Sequence, residues 1–140
     1  ALNWVARDWS VRVLPTYKQG HDVKAIALIS PERTYKGATA LDAIKHRAFA
    51  TDLSTYIIAG EDSDSYSDAR RLFTSMDKYQ ANSREKRLFS YFPATRLDGF
   101  RLLGSKGTGV AGKVWAFLKS RVVERADDYQ WMDRSSPLGR

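Results

Sequence analysis

The chain has 140 residues, of which 43% are hydrophobic and 28% charged, and its formal net charge is +7. The length suits one globular domain with a real core. The absence of cysteine excludes disulfides and thiolate metal sites. No apolar run reaches the roughly 18–20 residues that span a bilayer. The first ten residues lack a basic region followed by an apolar core, so we expect a protein that is neither secreted nor membrane-bound. The lack of cysteine suits a cytoplasmic or intravirion setting.

The N-terminal part predicts two strands. Residues 9–15 alternate apolar and polar side chains and end in a proline, which is typical of a strand. Residues 23–30 are more apolar and predict a second strand. Turn-forming residues separate the two, so a β-hairpin with a long loop is the simplest interpretation. A polar loop follows at 31–38.

The middle of the chain predicts two helices around a strand. Thr39 and Asp42 have the spacing of a capping box, which predicts a helix from Thr39 to about Thr51. Residues 53–60 are rich in β-branched and aromatic side chains and predict a third strand. An acidic loop then leads into a helix from Tyr66 to Gln80, whose apolar positions fall roughly in line.

The acidic loop raises the question of calcium. Asp62, Asp64 and Asp68 stand at alternate or nearly alternate positions. An EF-hand loop also needs glycine at its sixth position and glutamate at its twelfth, where this chain has serine and phenylalanine. Ser65 and Asp68 instead have capping-box spacing, so we favour a helix cap and expect no metal site.

The last third predicts a short helix over 81–93, a strand over 99–104 and a helix from about Val110 to Arg125. The element order is then β-β-α-β-α-α-β-α, which indicates an α+β fold with a mixed sheet of about four strands backed by about four helices. We expect a single domain over 1–126 and an extended C-terminal tail over 127–140.

The positive charge is concentrated in one window, residues 84–121. Nine basic residues lie there: Arg84, Lys86, Arg87, Arg96, Arg101, Lys106, Lys113, Lys119 and Arg121. Glu85 and Asp98 are its two acidic residues, so this window carries the whole formal excess of +7. Concentrated basic charge indicates a polyanion ligand, whereas a solvated lysine-rich surface is the alternative.

A glycine-rich stretch interrupts the basic window at 104–112. Gly107, Gly109 and Gly112 fit G-x-G-x-x-G, and Lys113 extends the match toward a P-loop. Valine follows Lys113 where a P-loop needs serine or threonine for Mg²⁺. Too little chain remains for the second strand of a dinucleotide fold. We therefore expect no nucleotide cofactor, and two interpretations stay open: a tight strand-to-helix turn, or a nest of amides that binds a backbone phosphate.

The first functional hypothesis is a nucleic-acid-binding protein that grips the phosphate backbone of RNA or DNA with little sequence specificity. Aromatic residues in the window, Phe100 and Trp115 among them, could stack on bases, although such residues more often belong to the core. The candidate phosphate-binding residues are Arg84, Lys86, Arg87, Arg101, Lys106, Gly107, Gly109 and Lys113.

Two other classes of function remain. A small nuclease or phosphoryl-transfer enzyme could use His46, which lies one helical turn from Asp42, as a general base, or the glycine loop. An assembly component of a virion or ribonucleoprotein could form homo-oligomers through the C-terminal tail, where Tyr129, Trp131 and Met132 interrupt a polar segment. Docking of this tail on its own domain is the simpler alternative.

Overall fold

The computed structural model describes residues 1–12, 20–80 and 83–129. Five α-helices lie in these ranges: α1 (Leu2–Ser10), α2 (Ala48–Thr51), α3 (Tyr66–Gln80), α4 (Gly99–Gly104) and α5 (Val110–Leu118). Five strands accompany them: β1 (Ala25–Ile29), β2 (Thr34–Tyr35), β3 (Ala38–Thr39), β4 (Ser54–Ile58) and β5 (Leu88–Tyr91). Short 3-10 turns span Ala43–Lys45 and Ala126–Asp128, and a π-helical turn, Lys119–Val123, continues α5.

The main sheet has three parallel strands in the order β1-β4-β5. The register pairs Ala25 with Ser54 at one end and Ile29 with Ile58 at the other. On the other side of β4, Thr55 pairs with Leu88. Strands β2 and β3 form a separate antiparallel pair. Because all three strands of the main sheet run the same way, their carboxyl ends meet at one edge.

Helices cover both faces of this sheet. Ile57 and Ile58 are fully buried neighbours on β4 whose side chains belong to different clusters. Ile57 packs with residues of α1, α2 and α3, whereas Ile58 packs with Leu102 of α4 and Val110 of α5. A strand buried on both faces has no solvent-facing positions, so β4 shows no apolar–polar alternation. Its buried residues are Ser54 and Thr55 as well as the two isoleucines.

The α+β class predicted from the sequence is confirmed, with helices, a parallel sheet and a small antiparallel pair in one chain. The strands expected over 23–30 and 53–60 are present as β1 and β4, and the helix over 66–80 is α3. The C-terminal helix begins at Val110 as expected and passes into the π-helical turn after Leu118. No helix among the described residues is long and apolar enough to cross a bilayer.

The strand predicted over 9–15 is wrong at its start, because residues 9 and 10 complete helix α1. Leu2 and Val5 are buried, and Ala6 and Trp9 pack against the same cluster. These four positions have helical spacing, which the strand-like alternation from Trp9 onward obscures. Residues 13–15 of the predicted strand lie outside the described residues. Strand β1 pairs with β4, and none of the described residues of 9–15 forms the strand that the predicted hairpin needs.

The continuous helix predicted over 39–51 is broken. Thr39 ends β3, and its hydroxyl accepts from the amide of Leu41 instead of capping a helix. Extended backbone at His46 separates the 3-10 turn from α2. Ile44 and Phe49, one on each side of this break, are both buried. Positions five apart lie on different sides of a regular helix, so the break lets both reach the core.

The sequence predicts the wrong secondary structure for two elements after α3: the predicted helix contains a strand, and the predicted strand is a helix. Residues 88–91, expected within a helix over 81–93, form β5, and residues 99–104, expected as a strand, form helix α4. Apolar runs this short are ambiguous between helix and strand. Pairing of β5 with β4 and burial of Leu102 against Ile58 decide the outcome. The glycine stretch therefore connects two helices, not a strand and a helix.

Beyond the strands, the loop after β4 is joined to the loop after β5. The amides of Glu61 and Asp62 donate to the carbonyls of Pro93 (2.8 Å) and Thr95 (3.1 Å). Gly60 makes this approach possible, because a Cβ there would overlap the Thr95 carbonyl oxygen and lie 2.8 Å from that of Leu97. We call this paired segment, residues 60–62 with 93–97, the loop latch.

Candidate functional site

The basic window 84–121 presents most of its charge to solvent. Seven of its nine basic side chains are exposed: Arg84, Lys86, Arg96, Arg101, Lys106, Lys113 and Lys119. Arg87 and Arg121 are the two that turn inward, with 14% and 18% of their side chains exposed. The charge concentration seen in the sequence is thus also a property of the folded surface.

Glu85 explains why two arginines turn inward. Its carboxylate forms ion pairs with Arg87 (3.1 Å), Arg121 (2.9 Å) and Arg125. Hydrogen bonds from Arg125 hold the pKa of Glu85 below its ordinary value, and the charge of Arg87 adds to this effect. Arg125 lies after the π-helical turn, so the Glu85 cluster ties the end of the last long helix to the segment before β5. Arg87, a candidate phosphate-binding residue, is engaged in this cluster.

Asp98, the other acid of the window, lies where the carboxyl ends of the strands meet. Its carboxylate accepts from the hydroxyls of Ser30 (3.0 Å), which follows β1, and Ser65, which precedes α3. Burial raises the pKa of Asp98, but the hydroxyl donors, Ser63 included, outweigh this and lower it. The amide of Gly99 donates to Ser30 Oγ (2.8 Å). These polar groups satisfy one another and hold three loops together.

A groove runs between the free edge of β5 and helix α5, with a volume of about 520 Å³. Phe89 and the buried Phe117 lie in its floor with Tyr56, and the Phe117 ring centroid is 5.1 Å from that of Tyr56 and 5.9 Å from that of Phe89. Burial and the nearby Tyr91 raise the pKa of Tyr56. The groove therefore has an apolar, aromatic floor.

Cations line the rim of this groove. The lining includes Lys86 from the segment before β5, Lys113 from α5 and Arg121 from the π-helical turn. Lys86 Nζ is 5.2 Å and the Arg121 guanidinium carbon 4.6 Å from the centroid of the Phe89 ring. Cation–π contacts of this kind position a charge while leaving it near solvent. We call this feature the basic groove.

The glycine stretch adjoins the basic groove through Tyr91. Lys113 Nζ lies 4.5 Å from the centroid of the Tyr91 ring. The hydroxyl of the same tyrosine donates to the carbonyl of Thr108 (2.8 Å), within the turn that precedes α5. Gly109 caps α5 with a left-handed backbone, φ 65°. Lys113 thus stands between the groove and the first turn of a helix, where free amides favour anions.

Two glycines in this region are not required by the fold. Gly107 and Gly112 have no positive φ, and a Cβ at either would meet nothing within 4 Å. Gly112 lies inside α5, where glycine costs roughly 0.5–1 kcal/mol relative to alanine. Gly109 does need its left-handed backbone. The turn interpretation therefore accounts for Gly109, whereas Gly107 and Gly112 leave the backbone at the start of α5 open to a close neighbour.

The two histidines of the chain lie in one cavity, of about 630 Å³, on which Arg47 and Asp52 also border. His46 Nδ1 accepts the amide of Ala48 at 3.3 Å, and the predicted partner Asp42 pairs with Lys45 instead (3.7 Å). The His21 ring stacks on Trp9, and its Nε2 is buried. The general base predicted from Asp42 and His46 thus lacks its orienting carboxylate.

Helix α3 begins without the predicted capping box. Ser65 donates to Asp98, and Asp68 binds Arg33, whose Nε lies 2.9 Å from Oδ1. The hydrogen bonds from Arg33 lower the pKa of Asp68. Both side chains serve tertiary contacts in place of the cap. Among residues 1–12, 20–80 and 83–129, no group of three His, Cys, Asp or Glu side chains could hold a metal ion.

The predicted C-terminal tail is described as far as Tyr129. The Tyr129 hydroxyl donates to the carbonyl of Arg121, and Lys24 Nζ lies 5.4 Å from the centroid of its ring. Tyr129 therefore docks on its own domain. Trp131 and Met132, the other two residues expected to support oligomers, lie outside the described residues.

Comparison of the chain with protein-family models, curated proteins and solved structures finds no match. The inference about function therefore rests on the residues and their geometry. The sequence prediction missed the Glu85 cluster and the Asp98 cluster. A signal for both existed, because these are the two isolated acids within a basic window, and an acid in such a place has cations or hydroxyls available as partners.

Proposed function

We propose that this protein binds nucleic acid by its phosphate backbone, through the basic groove and the adjoining start of helix α5. The observation that carries this proposal is that Lys86 and Lys113 line one groove, with Lys113 beside the open glycine stretch. A polynucleotide supplies phosphates at regular intervals, so it can engage both lysines and the helix amides at once.

The charge distribution supports a polyanion over a small anion. Seven exposed cations occur in the window, against two acids, of which Glu85 is paired with arginines and Asp98 accepts hydrogen bonds from serine hydroxyls. A single phosphate would engage two or three of these cations. Backbone contacts carry no sequence information, so binding has little sequence preference and falls steeply with salt. RNA and DNA are the ligands, which fits a cytoplasmic or intravirion setting.

The test is a salt series with labelled single-stranded and duplex oligonucleotides, read by fluorescence anisotropy. The plot of log affinity against log salt has a negative slope, and its steepness decreases by about 0.7 for each lost phosphate contact on a single strand. The double variant Lys86→Gln/Lys113→Gln is therefore expected to make the slope less steep by about 1.4. Its matched control, Lys45→Gln/Lys78→Gln, removes two exposed lysines outside the window and is expected to leave the slope near the wild-type value.

Two results would contradict the proposal. Wild-type protein that fails to bind either oligonucleotide at low salt removes it altogether. Equal losses in the two double variants would show that overall charge, and not the basic groove, governs binding.

A further inference from the structure

Phe100 is the most exposed large hydrophobic side chain among the described residues, with 92% of its surface open to solvent. It lies in the first turn of α4, next to Gly99, whose φ is 52°. A phenylalanine in this position gains none of the free energy that burial of an aromatic ring supplies. Exposure of this degree calls for a partner that covers the ring.

Two arginines flank this ring. Arg96 and Arg101 line the same hollow as Phe100, which has a volume of about 470 Å³. Neither arginine forms an ion pair with another described residue, in contrast to Arg121 in the Glu85 cluster. Asp98 also lines the hollow, and its carboxylate accepts hydrogen bonds from the hydroxyls of Ser30 and Ser65. The hollow therefore combines an aromatic face with two uncommitted cations.

We infer that this hollow binds an unpaired nucleobase stacked on Phe100, with the flanking phosphates on Arg96 and Arg101, and that the protein therefore prefers single-stranded nucleic acid. The inference rests on the proposed function and names its ligand class. A base in a duplex has its faces covered by its neighbours, so it cannot stack on a protein side chain without leaving the helix.

The charges argue against a second copy of this chain as the partner. A symmetric contact through the hollow would bring together two surfaces of the same net sign, because the two arginines outweigh Asp98 in each copy. Like charges opposed in this way disfavour association. A single strand instead brings negative charge on both sides of each base.

The test compares a single strand with a duplex of the same sequence, for wild type and for Phe100→Ala. Stacking energies of aromatic side chains predict that the variant loses roughly 5- to 150-fold in affinity for the single strand. The affinity for the duplex is expected to stay unchanged. Phe100→Trp keeps a stacking face and is expected to retain single-strand binding, and the matched control Trp4→Ala, which removes an exposed aromatic of α1, is expected to change neither affinity.

The outcomes separate this inference from the proposed function. The inference is overturned if Phe100→Ala binds as well as wild type, or if its affinity falls equally for the single strand and the duplex. In either case, weaker binding by Lys86→Gln/Lys113→Gln would still support the proposed function. Light scattering that shows loss of self-association in Phe100→Ala, with single-strand affinity unchanged, would assign the hollow to protein contact. Failure of wild type to bind either ligand removes both proposals.

Discussion

Replacement of Glu85 by glutamine tests whether one carboxylate fixes the end of the last long helix. The change keeps the size of the side chain but removes the charge shared by Arg87, Arg121 and Arg125. The three guanidinium groups are then close to one another without a counter-charge, and each has at most 26% of its side chain exposed. The variant is expected to unfold more readily than wild type.

The magnitude follows from the exposure of the cluster. Breaking a buried ion pair costs about 3–5 kcal/mol, whereas a surface pair contributes about 0–1 kcal/mol. The Glu85 side chain is 39% exposed, so solvent screens it in part. We therefore expect the three partly screened ion pairs together to contribute about 2 kcal/mol to the free energy of unfolding. In a chain of this size, that loss lowers the melting temperature by roughly 6–8 °C.

The pH dependence gives an independent check. Because the folded-state pKa of Glu85 is lowered, its stabilisation is fully present above the unfolded-state value of about 4.3 and is lost as the pH falls through the folded-state pKa. The difference between wild type and variant is therefore expected to be largest at neutral pH and to shrink under acid conditions. Thermal melts followed by circular dichroism measure the melting temperature at each pH, and urea unfolding measures the free energy of unfolding.

The control for this experiment is Glu124→Gln. Glu124 is exposed and lies 3.9 Å from Lys119, so its loss is expected to change the free energy of unfolding by less than about 0.5 kcal/mol. The reasoning is refuted if Glu85→Gln has the melting temperature of wild type at neutral pH, or if the free energy of unfolding falls equally in Glu85→Gln and Glu124→Gln.

Gly112→Ala is expected to raise the free energy of unfolding by about 0.5–1 kcal/mol, because the new methyl group meets open space inside a helix. The same variant is expected to weaken oligonucleotide binding at the start of α5. Thermal melts measure the first effect and anisotropy the second, and tighter binding would contradict the expected effect on binding. His46→Ala is expected to cost about 1 kcal/mol, since the Ala48 amide loses its acceptor, and to leave oligonucleotide binding unchanged. Should wild type cleave a labelled strand and His46→Ala abolish that cleavage, the nuclease alternative would replace the binding hypothesis.

The sequence predicted best those elements whose local pattern and tertiary role agree. Helix α3 shows a long helical period, and β4 is rich in β-branched side chains and lacks apolar–polar alternation, which suits a strand buried on both faces. Prediction failed at β5 and α4, where the apolar runs are short and the choice depends on neighbours far along the chain. Pairing with β4 makes residues 88–91 a strand, and no local period encodes that contact.

The candidate site was predictable in its charge but not in its geometry. The count of basic residues located the window, and its cations are largely exposed in the fold. Whether a particular arginine faces solvent depends on partners such as Arg125, which lies 40 residues from Glu85. The sequence prediction therefore could not separate Arg87, held by Glu85, from Lys86 on the groove rim.

The loop latch makes the two loops it joins a single mechanical unit. One loop enters α3 and the other enters α4, and the hydrogen bonds from Glu61 and Asp62 cross between them. A shift of α4 that follows contact at Phe100 is expected to act on the start of α3 as well, because Ser65 before α3 donates to Asp98 before α4. The loops approach closely at Gly60, where a Cβ would overlap the Thr95 carbonyl oxygen. Movement at the hollow would then be transmitted across the edge of the sheet to the helix on its opposite face.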